Sequence, residues 1–248
     1  MNSTLALALL SAAVLGFRHG FDYDHIAAIS DITSVEPSPR RAMGMGLLYV
    51  LGHAATVALL GGAVIFFQKS LPASIDHWAE RAVGLTLVLL GLYVLGTLFR
   101  SPADFVPRSR AVLLISASRW IARKVRTIFG SASATTSVEP STAYTRKSVF
   151  LIGVIHGLGA ETPSQLLLFL LAANLGGLAR GFLGLGVFLA GLLAMNTLMT
   201  ASAVGIFGAS AARPRLLRAI TACTATYSLV VGLIFLFGSS SLLPPLGG

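Results

Sequence analysis

His19, Asp22, Asp24 and His25 fall within seven residues in the run Arg18-His-Gly-Phe-Asp-Tyr-Asp-His-Ile26, inside an otherwise apolar stretch. Two imidazoles and two carboxylates offer the nitrogen and oxygen ligands that suit a divalent first-row transition metal. The setting makes the cluster informative. The stretch is long enough to cross a bilayer, and an Arg or Asp at the centre of a span costs roughly 2.5–3.5 kcal/mol to insert. Such groups persist where they face a protein-lined cavity and something there compensates them. A metal-ion site within the membrane is the leading reading.

Two arrangements of the cluster are open. On an ideal helix, Asp22 lies between His19 and His25 within an arc of about 120°, and Asp24 points away from it. In the first arrangement His19, Asp22 and His25 make the ligand face, with Asp24 supporting them or pairing with Arg18. In the second, Gly20 lets the helix unwind so that Asp24 joins the histidines, since broken helices are tolerated where they line a cavity.

Three more ionisable residues stand in apolar runs: His53 in Leu51-Gly-His-Ala-Ala-Thr56, then His156 and Glu161. Inside a span the default for such a residue is a functional role. Gly157, Gly159 and Pro163 invite a helix break beside the last two. Thr162, Ser164, Gln165 and Asn196 could act as secondary ligands, but bonding across helices is the favoured reading for each. Binding must strip an ion of water yet stay reversible. Histidine ligation also ties uptake to pH, because protonated imidazole cannot bind metal.

These groups must be positioned by membrane helices. The chain has 248 residues, 55% of them hydrophobic and 11% charged, with mean hydropathy +0.82. Hydropathy predicts an all-α polytopic membrane protein with six transmembrane helices, over 5–32, 42–68, 79–99, 148–172, 179–207 and 216–237. Residues 1–16 lack the basic n-region of a cleavable signal, so they are expected to begin a retained span.

The net charge of +9 does not point to nucleic acid. Fourteen of the eighteen Lys and Arg residues fall in or just beside the connections after spans one, three and five. By the positive-inside rule those connections are cytoplasmic and both termini outside. Within the third connection, residues 108–129 mix apolar and basic side chains like an amphipathic helix lying on anionic lipid. Residues 130–145 read as a Ser/Thr/Ala-rich linker. The lone Cys223 can form no intrachain disulfide and reads as a small core residue.

The two halves repeat each other faintly. His19-Gly20 precedes Asp24 at the offset by which His156-Gly157 precedes Glu161, and Arg81-Ala-Val parallels Arg218-Ala-Ile. Three spans per half would invert the second half, the plan of many secondary transporters. The expected organisation is a first three-helix repeat over 1–100, a basic cytoplasmic linker over 101–147, and a second repeat over 148–248. His19, His53, His156, Glu161 and Asn196 then fall near the middle of their spans.

At these residues the chain resembles the nickel/cobalt transporter family of secondary permeases. The family stretch R-H-A-x-D-A-D-H-I looks like Arg18 to Ile26, and L-G-H-S-T-V-V looks like Leu51 to Val57. The resemblance implies that His19, Asp24, His25 and His53 bind or select the metal. In the second half, G-F-D-T-A-T-E stands as Gly159 to Gln165, with Glu161 for Asp and Gln165 for the final Glu. L-M-D-T stands as Ala194 to Thr197, with Asn196 for Asp. Typical members carry more than six spans, which points to a divergent or urease-associated branch.

The expected function is a secondary transporter moving Ni2+ or Co2+ across the cytoplasmic membrane, with the ion as substrate and no prosthetic group. A membrane subunit of a larger assembly, docking through the basic connection, is one alternative. An intramembrane metalloenzyme is another, but H-E-x-x-H and further His-rich boxes are missing from the five histidines. His77, beside Trp78, is expected in an external connection with an interfacial role.

Overall fold

The computed structural model describes residues 3–34, 36, 38–68, 73–100, 145–159 and 177–243. Among these residues are seven α-helices, a short 3-10 helix at Ser240–Leu242 and no strand. The α-helices are α1 (Ser3–His19), α2 (Tyr23–Ser34), α3 (Pro39–Phe67), α4 (Ala73–Arg100), α5 (Arg146–His156), α6 (Leu178–Ser210) and α7 (Pro214–Leu236). Four are long and apolar enough to cross a membrane: α3, α4 over His77–Gly96, α6 and α7. Together α1 and α2 supply a fifth candidate span, bent by 52° at its break.

The sequence expectation differs from this picture in two places, the first span and His77. The first span is two helices rather than one. Of the span expected over 148–172, the described residues hold α5 and the turn after it. Glu161, the interfacial helix over 108–129 and the linker over 130–145 fall outside the described residues, apart from Thr145. His77 and Trp78 belong to α4 rather than to a connection, and the Arg81 guanidinium sits 5.9 Å from the Trp78 ring.

Local chemistry explains where the helices stop. After His19 the α-ladder tightens into i→i+3 bonds, Phe21 N–H to Arg18 O at 2.8 Å and Asp22 N–H to His19 O at 3.2 Å. The helix resumes with Ile26 N–H on Asp22 O at 3.1 Å, and Asp24 sits in the new first turn, where the helix dipole favours a carboxylate. Pro39 and Pro214 open α3 and α7, where a missing N–H does no harm. Thr145 caps α5 by accepting from Ser148 N–H at 3.1 Å. Gly157 closes that helix immediately after His156, as Gly20 follows His19 at the end of α1.

Helix packing follows a swap of halves. α1 packs on α6 and α5 on α3, while α3 meets α6 and α4 meets α7. A Cβ on Gly16 would strike the Phe188 carbonyl, and one on Gly191 the Ala13 carbonyl. At the other crossing, Gly153 lies against the Tyr49 carbonyl and Gly52 against the Phe150 carbonyl. Gly153 and Phe150 each follow Gly16 and Ala13 by 137 residues, and Phe188 and Gly191 each follow Tyr49 and Gly52 by 139. Small residues let membrane helices approach this closely.

Large apolar side chains cover the outside, among them Leu10, Leu59, Leu92, Leu198 and Val230, whereas the interior holds His25, His53, His156 and Asn196 with no exposure. A water-soluble fold would be destabilised by so much exposed hydrocarbon. A lipid environment accounts for it. Nearly every residue of α2 is buried, because the helix is enclosed by α3, α4, α6 and α7.

Candidate metal centre

The break at Gly20 gives His19 and His25 their orientation. His25 Nδ1 lies 2.8 Å from the carbonyl oxygen of His19. A carbonyl only accepts, so Nδ1 carries the proton and Nε2 is left with a lone pair. His19 Nδ1 lies 2.6 Å from Asp22 Oδ2, and donation to that carboxylate leaves its Nε2 bare as well. A second partner that fixes the tautomer and raises ligand basicity is the usual support of a metal-binding histidine.

Both bare nitrogens point at His53, which α3 carries in from the side. His53 Nδ1 is 3.2 Å from His25 Nε2, and His53 Nε2 is 3.3 Å from His19 Nε2. A neutral imidazole has one N–H, so it can satisfy one of these contacts and not both. At the other, two lone pairs face each other inside a fully buried site. A cation among the rings removes that conflict. One nitrogen from each of the three rings lies within 4.8 Å of the others. Metal–imidazole bonds of about 2.0–2.1 Å would draw such atoms together. Phe188 of α6 covers the His19 ring at 5.8 Å between centroids.

The other expected residues divide. Asp22 stands with His19, whereas Asp24 faces the second half of the chain, its Oδ2 3.8 Å from His156 Nδ1. The helix does break at Gly20, but Asp22 rather than Asp24 touches an imidazole of the triad. His156 is held by Tyr49 OH at 3.3 Å and Thr86 Oγ1 at 3.2 Å. Asn196 is fully buried, and neither side-chain atom finds a partner among the described residues.

Among the polar residues that escaped the sequence reading are Tyr49, Thr86 and Asp31. Tyr49 sits one turn before His53 on the same face of α3, a spacing that could have flagged it. Thr86 looks like any threonine of a span. Asp31, fully buried, accepts from Ser228 Oγ at 3.2 Å between α2 and α7. It was visible as a third carboxylate of the first span, two turns after Asp24.

Several known proteins are similar to this chain in sequence. The cobalt transport protein NhlF of Rhodococcus rhodochrous is 27% identical over 183 residues, 66% of this chain and 48% of its own length. The urease accessory protein UreH of a Bacillus species is 26% identical over 241 residues, 96% of this chain and 94% of its own. The high-affinity nickel-transport protein NixA of Helicobacter pylori is 26% identical across 95% of this chain and 76% of its own. The chain thus resembles nickel and cobalt transport proteins over most of its length. It spans about half the length of NhlF but nearly all of UreH. No protein-family profile and no solved structure matches it.

Proposed function

We propose that this chain belongs to the nickel/cobalt transporter family and is a secondary permease that carries a divalent transition-metal ion, nickel or cobalt, across the cytoplasmic membrane. One observation carries the reading: three buried imidazoles from three helices converge with more lone pairs than protons. Imidazole suits nickel and its neighbours in the first transition row. The names of the relatives, cobalt transport protein and nickel-transport protein, agree with that cargo.

In this reading His19, His25 and His53 hold the ion near the bilayer midplane. Asp22 orients His19 and offsets charge, and Asp24, His156 and Glu161 supply the remaining polar surface of the pathway. The chain forms six spans as two inverted three-helix repeats, with both termini outside and the basic 101–147 connection on anionic lipid of the inner leaflet. The exchange of packing partners between halves and the matched glycine crossings support the repeat. Half-helices ending at His19-Gly20 and His156-Gly157 are the discontinuous elements from which such transporters build their sites.

Purified protein in liposomes tests the function directly. Addition of radioactive Ni2+ or Co2+ outside should give saturable uptake that His19→Ala and His53→Ala remove. Tight binding of metal without flux would instead identify a resident metal centre.

A further inference from the structure

The hydrogen bonds around His156 fix its protons. Thr86 Oγ1 donates to Val83 O at 2.7 Å, so its hydrogen is committed and it must accept from His156 Nε2 at 3.2 Å. The neutral ring then has a lone pair on Nδ1, which faces Tyr49 OH at 3.3 Å and Asp24 Oδ2 at 3.8 Å. The phenol can donate to Nδ1, but the carboxylate cannot. Buried side by side, the Nδ1 lone pair and the carboxylate oxygen form an electron-rich pair that a cation could bridge in place of the Tyr49 proton.

We propose that Asp24 and His156, with the Tyr49 phenolic oxygen beside them, form a second station for the same divalent ion. The inference rests on the permease reading and deepens it. A metal with bonds of about 2.1 Å to nitrogen and oxygen spans a 3.8 Å separation at an open angle. The two stations adjoin across one side chain. The Tyr49 ring lies 6.2 Å from His25, 6.4 Å from His53 and 5.7 Å from His156.

Their chemistry differs in a useful direction. Three nitrogens make the first station the tighter one for nickel or cobalt, whereas one nitrogen with oxygens makes the second weaker. Conduction needs a site strong enough to take the ion and a neighbour that lets it go. The triad is built wholly from the first half of the chain, and His156 comes from the second. Movement between the halves would therefore alter the distance between stations while leaving the triad intact.

Co2+ binding to the purified full-length chain in detergent, followed by optical absorption, tests this. The double variant His19→Ala/His53→Ala should still bind one Co2+, roughly 10–100-fold more weakly than the intact protein. Adding His156→Gln or Asp24→Asn should remove that ion. The proposal is overturned if the double variant binds no Co2+, or if its Co2+ survives both additions; the triad reading stands in either case. An intact protein that binds no Co2+ would overturn the permease reading and this proposal with it. His156→Gln alone keeps a donor for Thr86 and an acceptor for Tyr49, which guards against misfolding. In liposomes it should lower the maximal uptake rate about tenfold with the half-saturating concentration little changed. An unchanged rate would also overturn the second station.

Discussion

His25 is bonded to the backbone of His19, Nδ1 to carbonyl oxygen at 2.8 Å. In an unbroken helix that carbonyl would accept from the amide four residues on. At the break that carbonyl accepts from both the Asp22 amide and the His25 imidazole, so the same local unwinding that bends the span by 52° also turns His25 Nε2 towards the site. Helix breakage and the orientation of His25 are one event.

Orientation should be separable from ligation. Asp22 touches His19 Nδ1 and does not join the group of converging ligand atoms. Asp22→Ala should weaken Ni2+ affinity by roughly 10–100-fold, the usual effect of removing a partner that orients a ligand. The number of ions bound should stay the same. Titration calorimetry on purified protein reads both quantities, and a lost site would make Asp22 a direct ligand.

Each ligand histidine should be dispensable for folding. Replacing His53 by Ala removes a ring whose neutral form leaves lone pairs opposed. Expression and monodispersity of His53→Ala should therefore match the parent, while metal accumulation in cells falls to background. Accumulation at the parental level would show that the ion travels elsewhere.

The glycine crossings predict an asymmetry in stability. Gly16→Ala and Gly153→Ala place a methyl against backbone, at Phe188 and Tyr49, and backbone cannot rotate away. Overpacking of this kind costs about 1–3 kcal/mol or more. Gly44→Ala and Gly96→Ala put the methyl into open space on a helix and should be neutral or slightly stabilising. Thermal unfolding in detergent compares the four; equal midpoints would contradict the close crossings.

Much of the site was legible because ionisable residues stand out in apolar sequence whatever their three-dimensional arrangement. His19, His25 and His53 needed no geometry to be noticed. The division of labour between Asp22 and Asp24 did need it. The helical wheel assumes 100° per residue through positions 19–25, and the i→i+3 bonds at Phe21 and Asp22 end that regularity. Tyr49 and Thr86 stayed hidden because hydroxyl side chains are ordinary in membrane helices, and only the His156 ring between them gives them meaning. The proposed repeat is faint in residue identity, and its support comes from the matched glycine crossings, which depend on where small residues fall rather than on which residues flank them. Four of the six expected spans appear as single helices, and the first as a broken pair. Of the fourth, the described helix ends at His156, where the Gly157 and Gly159 signal pointed.

The central claim is that His19, His25 and His53 ligate the transported ion together. X-ray absorption spectroscopy of the Ni2+-loaded protein in detergent tests it most directly. The account predicts imidazole nitrogens at about 2.0–2.1 Å, with the multiple-scattering signature of three rings, reduced to two in His53→Ala. A first shell of oxygen alone, or a spectrum unchanged by that substitution, would contradict it.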